Sequence, residues 1–252
     1  MENNVTELSE RQIKILKAII DDYIVNGTPI GSEFLEKKFK LGFSPATIRN
    51  EMVVLGKLGY IGKGHFSSGR VPTPKAFRFY INTLLPKKQL STAEEVSIKN
   101  EVWDYQKDTV RFLEEAAHTL SDRTGLMSLV LLKSGFRYYT GIDNLLAVRE
   151  FFDLDFTRSV FEYIDDMEYW LKVLGNMYGE NVEMRILLGD DYLHKSLYNL
   201  GGVFCHFEAD CATGTIGILG PSRLNYSSAL PLVNYTASVI REVLQRTDEK
   251  NK

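Results

Sequence analysis

Between Ser9 and Val71 the chain is punctuated by turn-forming residues too often for any long element, and the short pieces between them set the fold class of its first third. Ser9 with Gln12 makes a capping box, and Ile13, Leu16, Ile20 and Ile24 recur at helical spacing until Asn26-Gly27 stops the pattern. After Thr28-Pro29, Ser32 to Phe39 reads as a short second helix, with Phe34, Leu35 and Phe39 positioned to pack on the first. The turn Lys40-Leu41-Gly42-Phe43 closes it. Ser44 then supplies an N-cap hydroxyl and Pro45 a first-turn proline. Ile48, Met52 and Leu55 form the inward stripe of a third helix ending near Gly59. Its outward face carries Thr47, Asn50 and Lys57, with Arg49 at the border. The stretch Tyr60 to Val71 begins and ends as strand around glycines and small polar residues, which predicts a tight ribbon. Helix, short helix, glycine-containing turn, helix and ribbon together predict a winged helix-turn-helix over residues 1–86.

Charge separates this region from the rest. The net charge of the chain is −3, but residues 1–88 carry 14 Lys or Arg against 8 Asp or Glu, a surplus of +6 that leaves −9 for the remainder. Within residues 40–88 nine basic residues face one acidic residue, Glu51. A one-sided stretch of this kind suits phosphate, because each contact that neutralises a phosphate releases condensed counterions. A solvated face normally mixes both signs.

Candidate DNA-binding residues follow from chemistry and place. Ser44, Pro45, Thr47, Arg49 and Asn50 lie at the N-terminal end of the third helix, the end that a recognition helix presents to base edges. Arg can fork onto guanine O6 and N7 and Asn onto adenine N6 and N7, while hydroxyls and free first-turn N–H groups suit phosphate. Each has a blander reading: Arg49 paired with Glu51, Ser44 as a cap alone, Asn50 as a solvent-facing residue. Lys63, His65, Ser67, Ser68 and Arg70 make the ribbon basic and polar, as expected of a wing lying along the backbone or in an adjacent groove. A nucleotide phosphate loop is excluded, since no strand-loop-helix context and no Gly-Lys-Ser or Gly-Lys-Thr accompanies these glycines.

Past a hinge at Pro86 to Leu90, the pattern predicts a long helix from Ser91 to Thr124, its buried side lined by Val102, Tyr105, Phe112, Ala116 and Leu120. Strands are expected at Leu126–Lys133, Val182–Leu188, Val203–Glu208 and Thr215–Leu219. Helices are expected at Phe156–Tyr178 and Ser228–Gln245. Hairpin-linked strands with separate helices predict an α+β sandwich over residues 87–252. The aromatic cluster Phe151, Phe152, Phe156, Phe161, Tyr163, Tyr169 and Trp170 reads as core, with an exposed interface as its alternative. Cys205 and Cys211 are expected to be thiols, and with His206 they fall one ligand short of a zinc site. The carboxylate pairs Asp165-Asp166 and Asp190-Asp191 have no histidine or nucleophile beside them, so neither catalysis nor a cofactor is expected. The longest apolar run, 126–132, is too short to span a bilayer, and Met1 to Glu10 lacks the apolar core of a signal peptide, so a cytoplasmic location is expected.

Ser9 to Leu84 resembles the N-terminal domain of the HrcA family of bacterial heat-inducible transcription repressors, in the strings SERQIKILKAIIDDYI, GTPIGS, SPATIRNEM, LGYI, SSGRVPT and RFYI. Two further strings, YTGIDNLL from Tyr139 and GTIGILGPSRLNYSSALPLVNYTASVI from Gly214, extend the resemblance across both halves in the family's order. The resemblance implies a repressor of chaperone operons that binds an inverted-repeat operator as a homodimer and whose activity is supported by the chaperonin GroEL. It places DNA contacts on Ser44 to Asn50 and Ser67 to Arg70, and a GAF-like domain in the second half. Family members carry a dimerising insert between the regions corresponding to Lys133 and Tyr138, whereas here about five residues join them, too few for an element beyond a turn. Dimerisation is then expected through the helix from Ser91 or the final helix. The alternative reading is a regulator controlled by a small ligand in the GAF-like domain.

Overall fold

The computed structural model describes residues 8–64, 69–178 and 183–250. The chain divides into two compact units, residues 1–86 and 87–252.

In the first unit, α1 (Glu10–Asn26) is capped reciprocally: the Ser9 hydroxyl accepts from the Gln12 backbone N–H, and the Gln12 amide oxygen accepts from the Ser9 N–H at 2.9 Å. Gly27, at φ +62°, ends it in the left-handed conformation that glycine adopts without strain. Ile15, Leu16, Ile19 and Ile20 are buried on its inner face. The short α2 (Ser32–Phe39) is tied to α1 by Lys38, which pairs with the buried Asp22 carboxylate. Ser44 caps α3 (Pro45–Lys57), whose buried residues are Ile48, Glu51, Met52 and Leu55. The strands β1 (Ile61–Lys63) and β2 (Arg70–Pro72) pair antiparallel with Lys63 opposite Arg70. The segment between α1 and α2 joins this ribbon, because Ile30 and Arg70 exchange both backbone hydrogen bonds at 2.9 Å. That pairing brings Pro29 so close to Gly69 that a Cβ there would lie 2.8 Å from the Pro29 carbonyl carbon, so only glycine fits. Thr73 then caps α4 (Pro74–Phe79) and donates its hydroxyl to the Gly59 carbonyl at 2.7 Å, fixing the exit of the ribbon against the end of α3.

The second unit is a five-stranded antiparallel sheet between two helical layers. Its strands are β3 (Met127–Leu132), β4 (Arg137–Thr140), β5 (Met184–Leu188), β6 (Leu200–Glu208) and β7 (Thr213–Pro221), in the spatial order β4-β3-β7-β6-β5. Met127, Leu129 and Leu131 point into a core shared with α7 (Ile142–Leu146), α8 (Leu154–Ile164) and α9 (Met167–Leu174). The alternate residues of β3 face the opposite layer, where α6 (Thr109–Thr124) and α10 (Tyr226–Lys250) pack on the sheet and α5 (Thr92–Trp103) packs on them.

Several elements differ from the sequence reading, each for a local reason. The helix expected from Ser91 to Thr124 is two helices, because Asp108 accepts from the Val110 and Arg111 N–H groups and starts α6 afresh. The helix expected from Phe156 to Tyr178 breaks the same way at Asp166, which caps α9 by accepting from the Tyr169 N–H at 3.0 Å. Residues 133–136 form the turn of the β3-β4 hairpin, with Gly135 at φ +98°. The strand β6 begins at Leu200 rather than Val203, since Gly201 and Gly202 are part of it. A Cβ on Gly202 would meet the Tyr192 hydroxyl at 2.6 Å. Of the aromatic cluster, Phe151, Phe156, Tyr169 and Trp170 are buried in the core, Phe161 and Tyr163 pack against it, and Phe152 is exposed.

Candidate nucleic-acid interface

The third helix presents its first turn to solvent with no acidic residue in it. The Ser44 hydroxyl accepts from the Thr47 N–H at 3.2 Å and lies 2.9 Å from the Thr47 hydroxyl, so the two hydroxyls form one polar cluster at the positive end of the helix. Thr47 is half-buried, while Ala46, Arg49, Asn50, Val53, Val54 and Lys57 are exposed. Ala46, Val53 and Val54 share this exposed face, though the sequence reading placed only Thr47, Asn50 and Lys57 on it. Their spacing from Asn50 was the available signal.

The only acidic residue of residues 40–88, Glu51, is turned inward. Its carboxylate holds the Arg11 guanidinium at 2.7 Å and accepts from the Gln12 side-chain amide at 2.9 Å. The Arg49–Glu51 pair open in the sequence is therefore not formed. Among the described residues, no hydrogen bond or ion pair engages the side chains of Arg49, Asn50, Lys57 or Lys63. Four exposed polar side chains, three of them cationic, are thus without an ion pair or hydrogen bond among the described residues.

Arg70 lies on β2 opposite Lys63 and is half-buried, its guanidinium donating to the Gly69 carbonyl at 3.4 Å. Between α2, α3 and β2 lies an open groove of about 480 Å³. Its apolar wall is Ile30, Phe34, Met52 and Val53, and Arg49 and Arg70 line it as well. The Gly31 N-cap of α2 provides no side-chain hydrogen bond, which leaves the first N–H groups of that helix without a side-chain cap at the same groove. Lys75 serves the fold: its ammonium donates to the Leu58 carbonyl at 3.0 Å and lies 4.5 Å from the centre of the Tyr60 ring. His65, Ser67 and Ser68 lie outside the described residues.

Within the head, burial and the Asp21 carboxylate 3.0 Å from its hydroxyl push the Tyr80 phenol up to about 12. In the second unit, burial pushes the Cys205 thiol up to about 12, while Cys211 is exposed. Among the described residues no three His, Cys, Asp or Glu side chains converge as a metal site. The acidic pairs have structural duties: Asp191 accepts from the Leu188 N–H at 2.8 Å, Asp166 caps α9, and Asp165 lies 3.8 Å from Arg137. No helix among the described residues is long and apolar enough to cross a membrane.

A head whose first three helices lead into a two-stranded basic ribbon, followed by a GAF-like α/β sandwich, defines a two-unit winged helix-turn-helix protein. The family model described as the HrcA protein C terminal domain matches residues 73–230, more than half of the chain, and the chain belongs to the HrcA family. It is 43% identical over 145 residues to the heat-inducible transcription repressor HrcA of Clostridium acetobutylicum, a match covering 56% of this chain and 42% of that one. It is 40% identical over 125 residues to the protein of the same name from Pelotomaculum thermopropionicum, covering 50% and 36%. The matched region thus spans less than half the length of these relatives. Among solved structures, the crystal structure of a hypothetical protein shares the fold at a TM-score of 0.73 and 18% identity, over 96% of this chain and all of that one.

Proposed function

We propose that the chain is a negative regulator of heat-shock operons, in which the first unit binds an inverted-repeat operator on double-stranded DNA and occludes the promoter. The observation that carries this reading is the exposed face of α3. Among the described residues its cations Arg49 and Lys57 make no ion pair, and the neighbouring Glu51 carboxylate is held by Arg11 and Gln12. In this reading Arg49 and Asn50 reach base edges in the major groove. Ser44, Pro45 and Thr47 bring the positive end of α3 to a phosphate. The wing, comprising Lys63, His65, Ser67, Ser68 and Arg70, tracks the backbone or the neighbouring groove.

An inverted repeat calls for two heads, so the working form in this proposal is a homodimer in the cytoplasm. The second unit would hold the heads together and receive the signal, with GroEL as the partner that supports repression. The four-residue turn of the β3-β4 hairpin stands where the family's dimerising insert would lie, so the contact between copies falls to helices of the second unit. Family membership favours this reading over control by a small metabolite.

Gel shifts on promoter fragments test it. The chain is expected to retard a fragment holding the inverted repeat upstream of its host's chaperone genes in preference to a scrambled fragment at matched salt. Equal retardation of both would refute operator recognition.

A further inference from the structure

Ala46, Asn50, Val53 and Lys57 recur at intervals of four, three and four residues, so they share one line along α3, opposite the buried Ile48, Met52 and Leu55. All four are exposed, and Val53 leaves 47% of its surface open. A valine here is an odd choice for a purely solvated stripe, because branching at Cβ lowers helix propensity and the two methyls find no core. It is not an isolated exposed residue either, since Val53 continues the apolar wall of Ile30, Phe34 and Met52 that borders Arg49.

The face that would enter a major groove therefore offers an apolar surface one turn beyond Asn50. In that groove the apolar group displayed by a base is the 5-methyl of thymine. Three residues advance a helix by roughly 4.5 Å, comparable with the spacing of about 3.4 Å between successive bases of a strand, so Asn50 and Val53 address neighbouring base pairs. We propose that Val53 is a specificity-determining residue that reads thymine by methyl contact, next to an adenine read by Asn50. This rests on the DNA-binding reading above and adds to it the base that this position prefers.

The experiment uses the full chain. A preferred duplex is selected from a random-sequence pool, and each of its thymines is then replaced singly by deoxyuridine, which lacks only the methyl. The wild type is expected to lose affinity roughly fourfold, the equivalent of one buried methyl group, at one thymine in each half-site. In Val53→Ser that thymine and its deoxyuridine replacement should bind equally, whereas Val54→Ser should keep the discrimination. Melting temperatures confirm that the variants fold. The proposal is overturned if the wild type tolerates deoxyuridine everywhere, or if Val53→Ser still discriminates at the same position. It is also overturned if Val53→Ser weakens every duplex alike, which would assign Val53 to the groove wall. If the wild type enriches no duplex, the DNA-binding reading fails, and this one with it.

Discussion

The two units place their ion pairs differently. In the second, pairs tie one element to another: Arg223 grips Glu150 at 2.5 and 3.0 Å, Lys99 and Arg246 share Glu242, and Arg123 pairs with Glu101, while exposed cations such as Arg149, Arg158 and Lys195 make no ion pair among the described residues. In the first, ion pairs on α1, α2 and the inner side of α3 include Lys17–Asp21, Lys38–Asp22 and Arg11–Glu51. Among the described residues, Arg49 and Lys57 on the outer side of α3 and Lys63 on β1 are unengaged. A net charge of −3 conceals this division. What distinguishes the outer face of α3 is that Glu51, the one acidic residue of 40–88, turns away from its cations toward Arg11.

That contrast can be broken from either side. In the second unit both partners of Arg223–Glu150 are less than one-fifth exposed, and Arg223→Ala would leave a partly buried carboxylate without its cation. The expected cost is about 3 kcal/mol of stability, seen as a lower thermal midpoint, with DNA affinity of the folded protein unchanged. In the head the reverse is expected. Arg49→Ala should leave the midpoint within about 0.5 kcal/mol of wild type while weakening specific binding by roughly 1–3 kcal/mol and relaxing base preference. Arg70→Ala should weaken all sequences alike and reduce the slope of log affinity against log salt by about one. A sequence-selective loss for Arg70→Ala would move it to the base-reading group. The smallest effect concerns the thiols. At pH 8 a thiol reagent should modify Cys211 readily and Cys205 only on unfolding, since burial keeps Cys205 protonated until about pH 12. Rapid modification of both in the native protein would contradict the burial of β6.

The head was legible because its signals are local. Ser9 with Gln12, Asn26-Gly27 and Ser44-Pro45 mark the ends of α1 and the start of α3 through bonds spanning three or four residues. The second unit hides its boundaries because they depend on groups that have two uses. Asp108 and Asp166 are acceptable surface residues of a continuous helix, yet each caps a new one. Gly201 and Gly202 argue against a strand until the backbone of Pro221 and Ser222, and the Tyr192 hydroxyl, are seen to occupy the space that side chains would need. The strand β4 is short and mostly half-exposed, so it carries no apolar alternation to read.

The candidate site shows the same divide. Arg49 and Asn50 were accessible to chemical reasoning from residue type and position. That Glu51 turns toward Arg11 depends on the packing of α1 against α3, and that Thr47 bonds Ser44 depends on the geometry of the first turn. That Val53 is exposed follows from its place opposite the buried Ile48, Met52 and Leu55, which the outward residues named from sequence did not include.

In the proposed function, Arg49 and Lys57 on α3 and Lys63 on β1 engage one half of an inverted repeat. Its most direct test is the ratio of affinities of the full chain for the intact operator duplex and for the same duplex with both half-sites scrambled, measured by fluorescence anisotropy at one physiological salt concentration. Specific recognition predicts a ratio of about 10³ or more, narrowed by Arg49→Ala. A ratio near one would mean that the head binds phosphate without reading sequence.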